Sequence, residues 1–131
     1  MNFAENFSEL LVSFNKEGVE YMVVGGYAVN FHGYERTTSD LDVWVKSSSE
    51  NQKKIYHALI KMGYAKNDVQ HILNFDISQR FLFHIEDKPN DVEVFNFISG
   101  VKYEEAEPRK ILFNYANKLP VYFIGVRDGC K

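Results

Sequence analysis

The sequence predicts an α/β fold, in which helices and strands alternate along the chain. Apolar residues recur at helical spacing in two segments, and short apolar or alternating runs between them are typical of strands. A strand, a helix and another strand follow one another, which indicates an α/β layer arrangement. The length of 131 residues fits one domain, residues 1–131, with a single core.

The chain opens with a predicted amphipathic helix followed by a strand. The apolar residues at helical spacing are Phe3, Phe7, Leu10, Leu11 and Phe14. Gly18 is expected to end this helix, because glycine readily adopts the left-handed conformation of a C-terminal cap. Residues 20–24 then form the first predicted strand.

A twin glycine separates this strand from the next predicted helix. Gly25 and Gly26 lack a Cβ, so they allow a sharp turn and a close approach of another group to the backbone. Residues 27–32 are expected to form a short helix after the turn. Backbone N–H groups at a helix start favour an anion such as phosphate, so this turn is a candidate phosphate site.

The next strand carries two carboxylates. Side chains two apart on a strand share a face, so Asp40 and Asp42 are expected to project together while Leu41 and Val43 enter the core. Two neighbouring carboxylates repel unless a positive charge lies between them, and a divalent metal is the simplest candidate. A phosphate site and a metal-binding pair of acids indicate phosphoryl or nucleotidyl chemistry.

The remaining elements are predicted from periodicity and turn residues. Trp44, on the same face as Asp42, either packs in the core or stacks on a base. Pro120 lacks the N–H of a central strand, which predicts an edge strand around it. The predicted elements are a helix ending at Gly63, a loop at 64–78, a hairpin of strands 79–85 and 91–97, a helix at 104–117 and the edge strand at 119–124.

Two motifs carry a resemblance to a known family. Val24-Gly25-Gly26 followed by Asp40-Leu41-Asp42-Val43 resembles the signature of the polymerase-beta-like nucleotidyltransferase superfamily. The linker at 32–39 looks like that of small bacterial nucleotidyltransferases of the toxin-antitoxin and abortive-infection type. The resemblance implies a nucleotidyltransferase fold, with helices packed on a mixed β-sheet. It also implies a third carboxylate on a later strand, where Glu93 matches best and Asp91 is the alternative.

The resemblance implies a metal-dependent nucleotidyltransferase that moves a nucleoside monophosphate from an NTP, with ATP the expected donor, to a hydroxyl of a protein or RNA acceptor. Asp40, Asp42 and Glu93 would be the catalytic residues and the ligands of Mg²⁺ or Mn²⁺. The residues expected at the nucleotide are Gly25, Gly26, Arg36, Thr38 and Ser39. Arg36 has the alternative of pairing with an acid nearby, and Thr38 and Ser39 that of completing a turn.

Two other classes of function remain open. A catalytically degenerate nucleotide-binding module and an antitoxin-like interaction module both fit the same motifs. The net charge of −3 argues against general coating of nucleic acids, whereas 11 Phe and 8 Tyr leave room for a partner protein or a homodimer. The single cysteine and the lack of a signal peptide or a long apolar run predict a cytoplasmic location without a membrane partner.

Overall fold

The computed structural model describes residues 3–33, 40–85 and 90–129. The helices are α1 (Glu5–Glu17), α2 (Gly25–Phe31), α3 (Ser49–Lys61), α4 (Lys66–Val69), α5 (Tyr103–Ala106) and α6 (Val126–Gly129), with 3₁₀ turns at Gln70–Asn74 and Glu107–Arg109. The strands are β1 (Tyr21–Val24), β2 (Leu41–Val45), β3 (Leu82–Ile85), β4 (Val92–Phe95), β5 (Ile111–Tyr115) and β6 (Leu119–Phe123).

The six strands form one mixed sheet in the order β3-β4-β2-β1-β6-β5. The pair β2–β4 and the pair β1–β6 are parallel. The pairs β1–β2, β3–β4 and β5–β6 are antiparallel. A mixed sheet with helices packed on it is the arrangement that the sequence predicts, so the predicted fold class is confirmed.

The main core lies between the sheet and the helices α1 and α3, which pack against each other. Phe7 and Phe14 of α1 are fully buried, and the Phe14 ring lies 6.0 Å from that of Tyr21 in β1. Burial of a side chain of this size stabilises the fold by about 1.5–3 kcal/mol. Gly18 ends α1 with a φ of +72°, as predicted.

Trp44 packs on the opposite face of the sheet. Its side chain is 1% exposed, and its ring lies 5.2 Å from the ring of Tyr103 in an edge-to-face arrangement. Tyr103 begins α5, so this short helix covers the part of the face that carries Trp44. Of the two interpretations of Trp44, core packing is confirmed.

Asn51 at the start of α3 ties together the ends of β1 and β2. Its Oδ1 accepts a hydrogen bond of 2.8 Å from the N–H of Glu20. Its Nδ2 donates to the carbonyl oxygens of Glu20 (3.0 Å) and Lys46 (2.9 Å). Asn51 is 1% exposed, and a buried amide with three such bonds fixes the position of α3 relative to the strands.

Replacing Asn51 with Ala should lower the free energy of unfolding by about 2–3 kcal/mol, because partly buried backbone groups lose their partners. Urea unfolding followed by circular dichroism measures this loss. Asn67→Ala, at an exposed position of α4, is the matched control and should change stability by less than about 0.5 kcal/mol. Equal stability of the two variants would contradict the role given to Asn51.

The helix predicted at 104–117 is wrong. Helical structure ends with the 3₁₀ turn at Glu107–Arg109, and Ile111–Tyr115 form β5, paired antiparallel with β6. Residues 116–118 join the two strands, and Ala116 and Asn117 have φ angles of +53° and +62°, as occur in tight hairpin turns. A short apolar run fits a helix or a strand equally well, and pairing with β6 decides for the strand.

The edge position predicted for the last strand is also wrong, because β6 lies between β1 and β5. Its pairing with β1 joins Val23 to Phe123, three residues beyond Pro120. The carbonyl of Pro120 accepts a hydrogen bond of 2.6 Å from Asn15 in α1. The proline is therefore tolerated in an inner strand because it lies outside the segment that pairs with β1.

The segment predicted as loop at 64–78 contains α4 and the 3₁₀ turn at Gln70–Asn74. Gln52 of α3 holds this segment, since its Nε2 donates hydrogen bonds to the carbonyls of Ile72 (2.5 Å) and Phe75 (2.8 Å). Ile72 is buried. The sequence prediction missed these short helices because each is too brief to show a period.

Candidate active site

Three polar side chains lie in one row across neighbouring strands. Asp42 of β2 is paired with Glu93 of the parallel strand β4, and Glu93 is paired with His84 of β3. On its other side, Asp42 is paired with Val24, the last residue of β1. Directly paired residues project to the same face of a sheet. The structure thus brings two of the predicted catalytic residues, Asp42 and Glu93, next to each other.

The apolar residues of the same strands set the direction of the carboxylates. Val43 and Val94 are fully buried on the face covered by α1 and α3, whereas Asp42 and Glu93 are only half-buried on the other face. A shift of either strand by one residue would turn its valines to solvent and its acid into the core. Burial of the valines therefore fixes where the acids point.

Gly25 brings the twin-glycine turn against the acid-bearing strand. Its φ is +68°, a backbone conformation that is unfavourable for residues with a Cβ. A Cβ at this position would overlap Oδ2 of Asp42 and lie 3.0 Å from its Cγ. Gly26 is buried in the first turn of α2. The backbone of Gly25 therefore lies directly beside the Asp42 carboxylate, which requires a glycine.

Two further acids lie immediately before the paired strands. Asp40 is exposed. Burial raises the pKa of Tyr27 in α2 above its ordinary value, and the charge of the nearby Asp40 adds to this shift. Asp91 is half-buried, and its carbonyl accepts a hydrogen bond of 3.0 Å from the N–H of Leu41. Asp91 thus stands beside the start of β2 and stays the alternative to Glu93 as third carboxylate.

His84 joins the site from the edge strand β3, and the sequence analysis gave it no role. Its Nε2 lies 3.3 Å from Oε2 of Glu93, and both side chains are partly exposed. The hairpin of residues 79–97 was predicted without its register, and a register one residue different would place His84 on the opposite face. The pairing of β3 with β4 was the missing information.

The donor set fits a hard divalent cation. Mg²⁺ takes oxygen ligands and commonly uses one or two protein carboxylates together with substrate phosphates, and Asp42 with Asp40 or Glu93 offers such a pair. Within residues 3–33, 40–85 and 90–129, no group of three His, Cys, Asp or Glu side chains is arranged to hold a metal. These described residues thus bring together at most two carboxylates for a cation.

Three predicted nucleotide-binding residues, Arg36, Thr38 and Ser39, lie outside the described residues, so their roles stay predictions. Among the helices that the structure describes, none is long and apolar enough to cross a membrane.

No protein-family model and no curated protein sequence matches this chain. Its structure is similar to the crystal structure of a "putative nucleotidyltransferase" from Thermotoga maritima, with a TM-score of 0.64 and 9% sequence identity. The match covers 95% of this chain and 78% of the Thermotoga chain. This chain has a nucleotidyltransferase fold.

Within this nucleotidyltransferase fold, Trp44 and Tyr103 pack together on the sheet face that carries the acids. Among the described residues of the same face, Asp42 and Glu93 keep part of their side chains accessible. The carboxylates therefore lie where a ligand can reach them from solvent.

Proposed function

We propose that the protein is a metal-dependent nucleotidyltransferase. It transfers a nucleoside monophosphate from an NTP, with ATP the expected donor, to a hydroxyl of a protein or RNA acceptor. The resemblance of its linker to those of toxin-antitoxin proteins suggests the same biological setting, in the cytoplasm and with a partner protein or a second copy of the chain.

The observation that carries this proposal is the pairing of Asp42 with Glu93 on one open face. Asp40 lies two residues before Asp42, and Gly25 lies against the Asp42 carboxylate. Such a concentration of acids is unfavourable without a cation, because like charges repel. A nucleoside triphosphate brings Mg²⁺ with it, which makes this face suited to phosphoryl chemistry.

The residues have distinct roles in the proposed reaction. Asp42, with Asp40 or Glu93, would hold Mg²⁺ or Mn²⁺ together with substrate phosphates, and the cation would supply positive charge to the phosphate oxygens. The backbone of Gly25 and Gly26, with Arg36, Thr38 and Ser39, would contact the triphosphate. Glu93, whose carboxylate faces His84, would lie on the acceptor side of the site.

Incubation with α-³²P-labelled ATP, GTP, CTP or UTP and Mg²⁺ or Mn²⁺ should label a protein or an RNA of a cell extract. ATP is expected to give the strongest signal, and excess EDTA should abolish it, because the carboxylates alone supply no positive charge to the phosphates. Gel separation after nuclease or protease treatment identifies the acceptor as RNA or protein.

Absence of label with all four nucleotides, while the folded protein still binds NTP, would contradict the proposal and favour the nucleotide-binding module. Label that persists in EDTA would contradict its dependence on a metal. An extract without added protein is the control for endogenous transferases.

A further inference from the structure

We propose that a groove beside Glu93 binds the terminal nucleoside of a single-stranded RNA and so makes RNA the acceptor. This inference rests on the proposed function, because it assigns the acceptor of the same site. The groove is lined by Arg80, Phe81, Leu82, Glu93, Phe95 and Phe97. Its volume of about 320 Å³ lies near the lower end of the range for small-molecule sites, which suits one nucleoside.

The groove is continuous with the row of carboxylates. Leu82 is paired with Phe95 two positions along the same strands that pair His84 with Glu93, so all four side chains share one face. Glu93 lines the groove and is also the neighbour of Asp42. A molecule in the groove therefore has one end at the carboxylates, where the acceptor hydroxyl is needed.

Two apolar side chains that line the groove are accessible to solvent. Leu82 is 51% exposed and Phe97 39% exposed. Leu82 lies in β3, the edge strand of the sheet, and Phe97 lies two residues beyond the end of β4. The exposed Phe97 ring gives an unpaired base a surface on which to stack, and such stacking is one of the main ways in which proteins bind single-stranded RNA.

Arg80 gives the groove a positive charge, which favours RNA over an apolar peptide as its ligand. Its guanidinium carbon lies 3.6 Å from the centre of the Phe97 ring, and its side chain is exposed. Within the part of the chain that the structure describes, Arg80 makes no ion pair. A guanidinium held on a ring can stack on a base or bind a phosphodiester oxygen.

In the resulting reaction, a ribose hydroxyl of the terminal nucleoside attacks the α-phosphorus of the NTP. A new O–P bond forms, and the bond between the α-phosphorus and the oxygen bridging to the β-phosphorus breaks. Pyrophosphate leaves with the electron pair of that bond. The hydroxyl proton passes to the Glu93 carboxylate and from there to water. The RNA is thereby extended by one nucleotide.

Fluorescence anisotropy with a 5′-fluorescein-labelled hexaribonucleotide of mixed sequence, at low salt and without NTP, tests the groove. Phe97→Leu should weaken binding by about fivefold or more, because it removes the stacking ring, whereas Phe97→Tyr should stay within about twofold. Arg80→Ala should also weaken binding. Leu112→Ala is the matched control, at a 53% exposed leucine of the opposite edge strand β5, and should bind like wild type.

Equal affinity of wild type, Phe97→Leu and Arg80→Ala, or no binding of the hexaribonucleotide at millimolar concentration, would overturn the groove proposal. Label transfer to a protein without any RNA binding would also overturn it while leaving the proposed function intact. Binding that depends on Phe97, in a protein that transfers no label, would support the groove and contradict the proposed function. The two failures are therefore distinguishable.

Discussion

Replacement of Asp42 with Asn should reduce nucleotidyl transfer by about a thousandfold or more. The substitution keeps the shape of the side chain but removes one of the charges that would hold the cation, and a bound cation contributes several kcal/mol to the stability of the transition state. The fold should survive, because removing one of several like charges relieves repulsion. Rates of label transfer and the midpoint of urea unfolding measure the two effects.

Asp68→Asn is the control for Asp42→Asn, since Asp68 is an exposed acid in α4. It should retain full transfer. The same assay decides between the two candidates for the third carboxylate: Glu93→Gln should lose far more activity than Asp91→Asn if Glu93 has that role. A fully active Asp42→Asn variant would exclude Asp42 as a catalytic residue.

Substitution of Gly25 with Ala should lower both stability and transfer. A φ of +68° costs a residue with a Cβ about 1–2 kcal/mol, and the new methyl group would overlap the Asp42 carboxylate. Displacement of that carboxylate should reduce the transfer rate by about a hundredfold, because small displacements at a reacting centre have effects of this size. The free energy of unfolding should fall by about 2–4 kcal/mol.

Gly63→Ala separates the two causes. Gly63 has a φ of +100°, but a Cβ there would meet nothing within 4 Å. Its substitution should therefore show the conformational cost alone and leave transfer unchanged. If Gly25→Ala and Gly63→Ala lose equal stability and keep equal activity, the contact between the glycine turn and Asp42 has no functional consequence.

Local patterns sufficed to predict the centre of the molecule. The alternation of acids and valines in β2 determines which side chains face the core. A register that buries the valines is far more stable than one that buries the acids. The twin glycine likewise marks the turn into α2 by its conformational freedom alone. These features depend on residues close together in the chain, so the sequence contains all the information they need.

The rest of the site depends on partners distant in the sequence. Nothing near His84 indicates that it faces Glu93, since the register of β3 on β4 decides this. In the same way, Ile111–Tyr115 become a strand because β6 is beside them, and Pro120 lies in an inner strand because the pairing with β1 is further along. A single sequence has no signal for such pairing when a short apolar run fits helix and strand equally well.

The sequence by itself determined the α/β class, the acid-bearing strand and the glycine turn, because helical and strand periodicity and a twin glycine are local features. The third carboxylate was predicted from the family resemblance alone, and its role stays a prediction. Only the tertiary structure decided which strands are neighbours. It thereby set Asp42 beside Glu93, brought Gly25 against Asp42 and opened the groove of Arg80 and Phe97 next to them. The physical reason is that local sequence fixes the face of a strand, whereas packing of the whole core fixes its neighbours and its register.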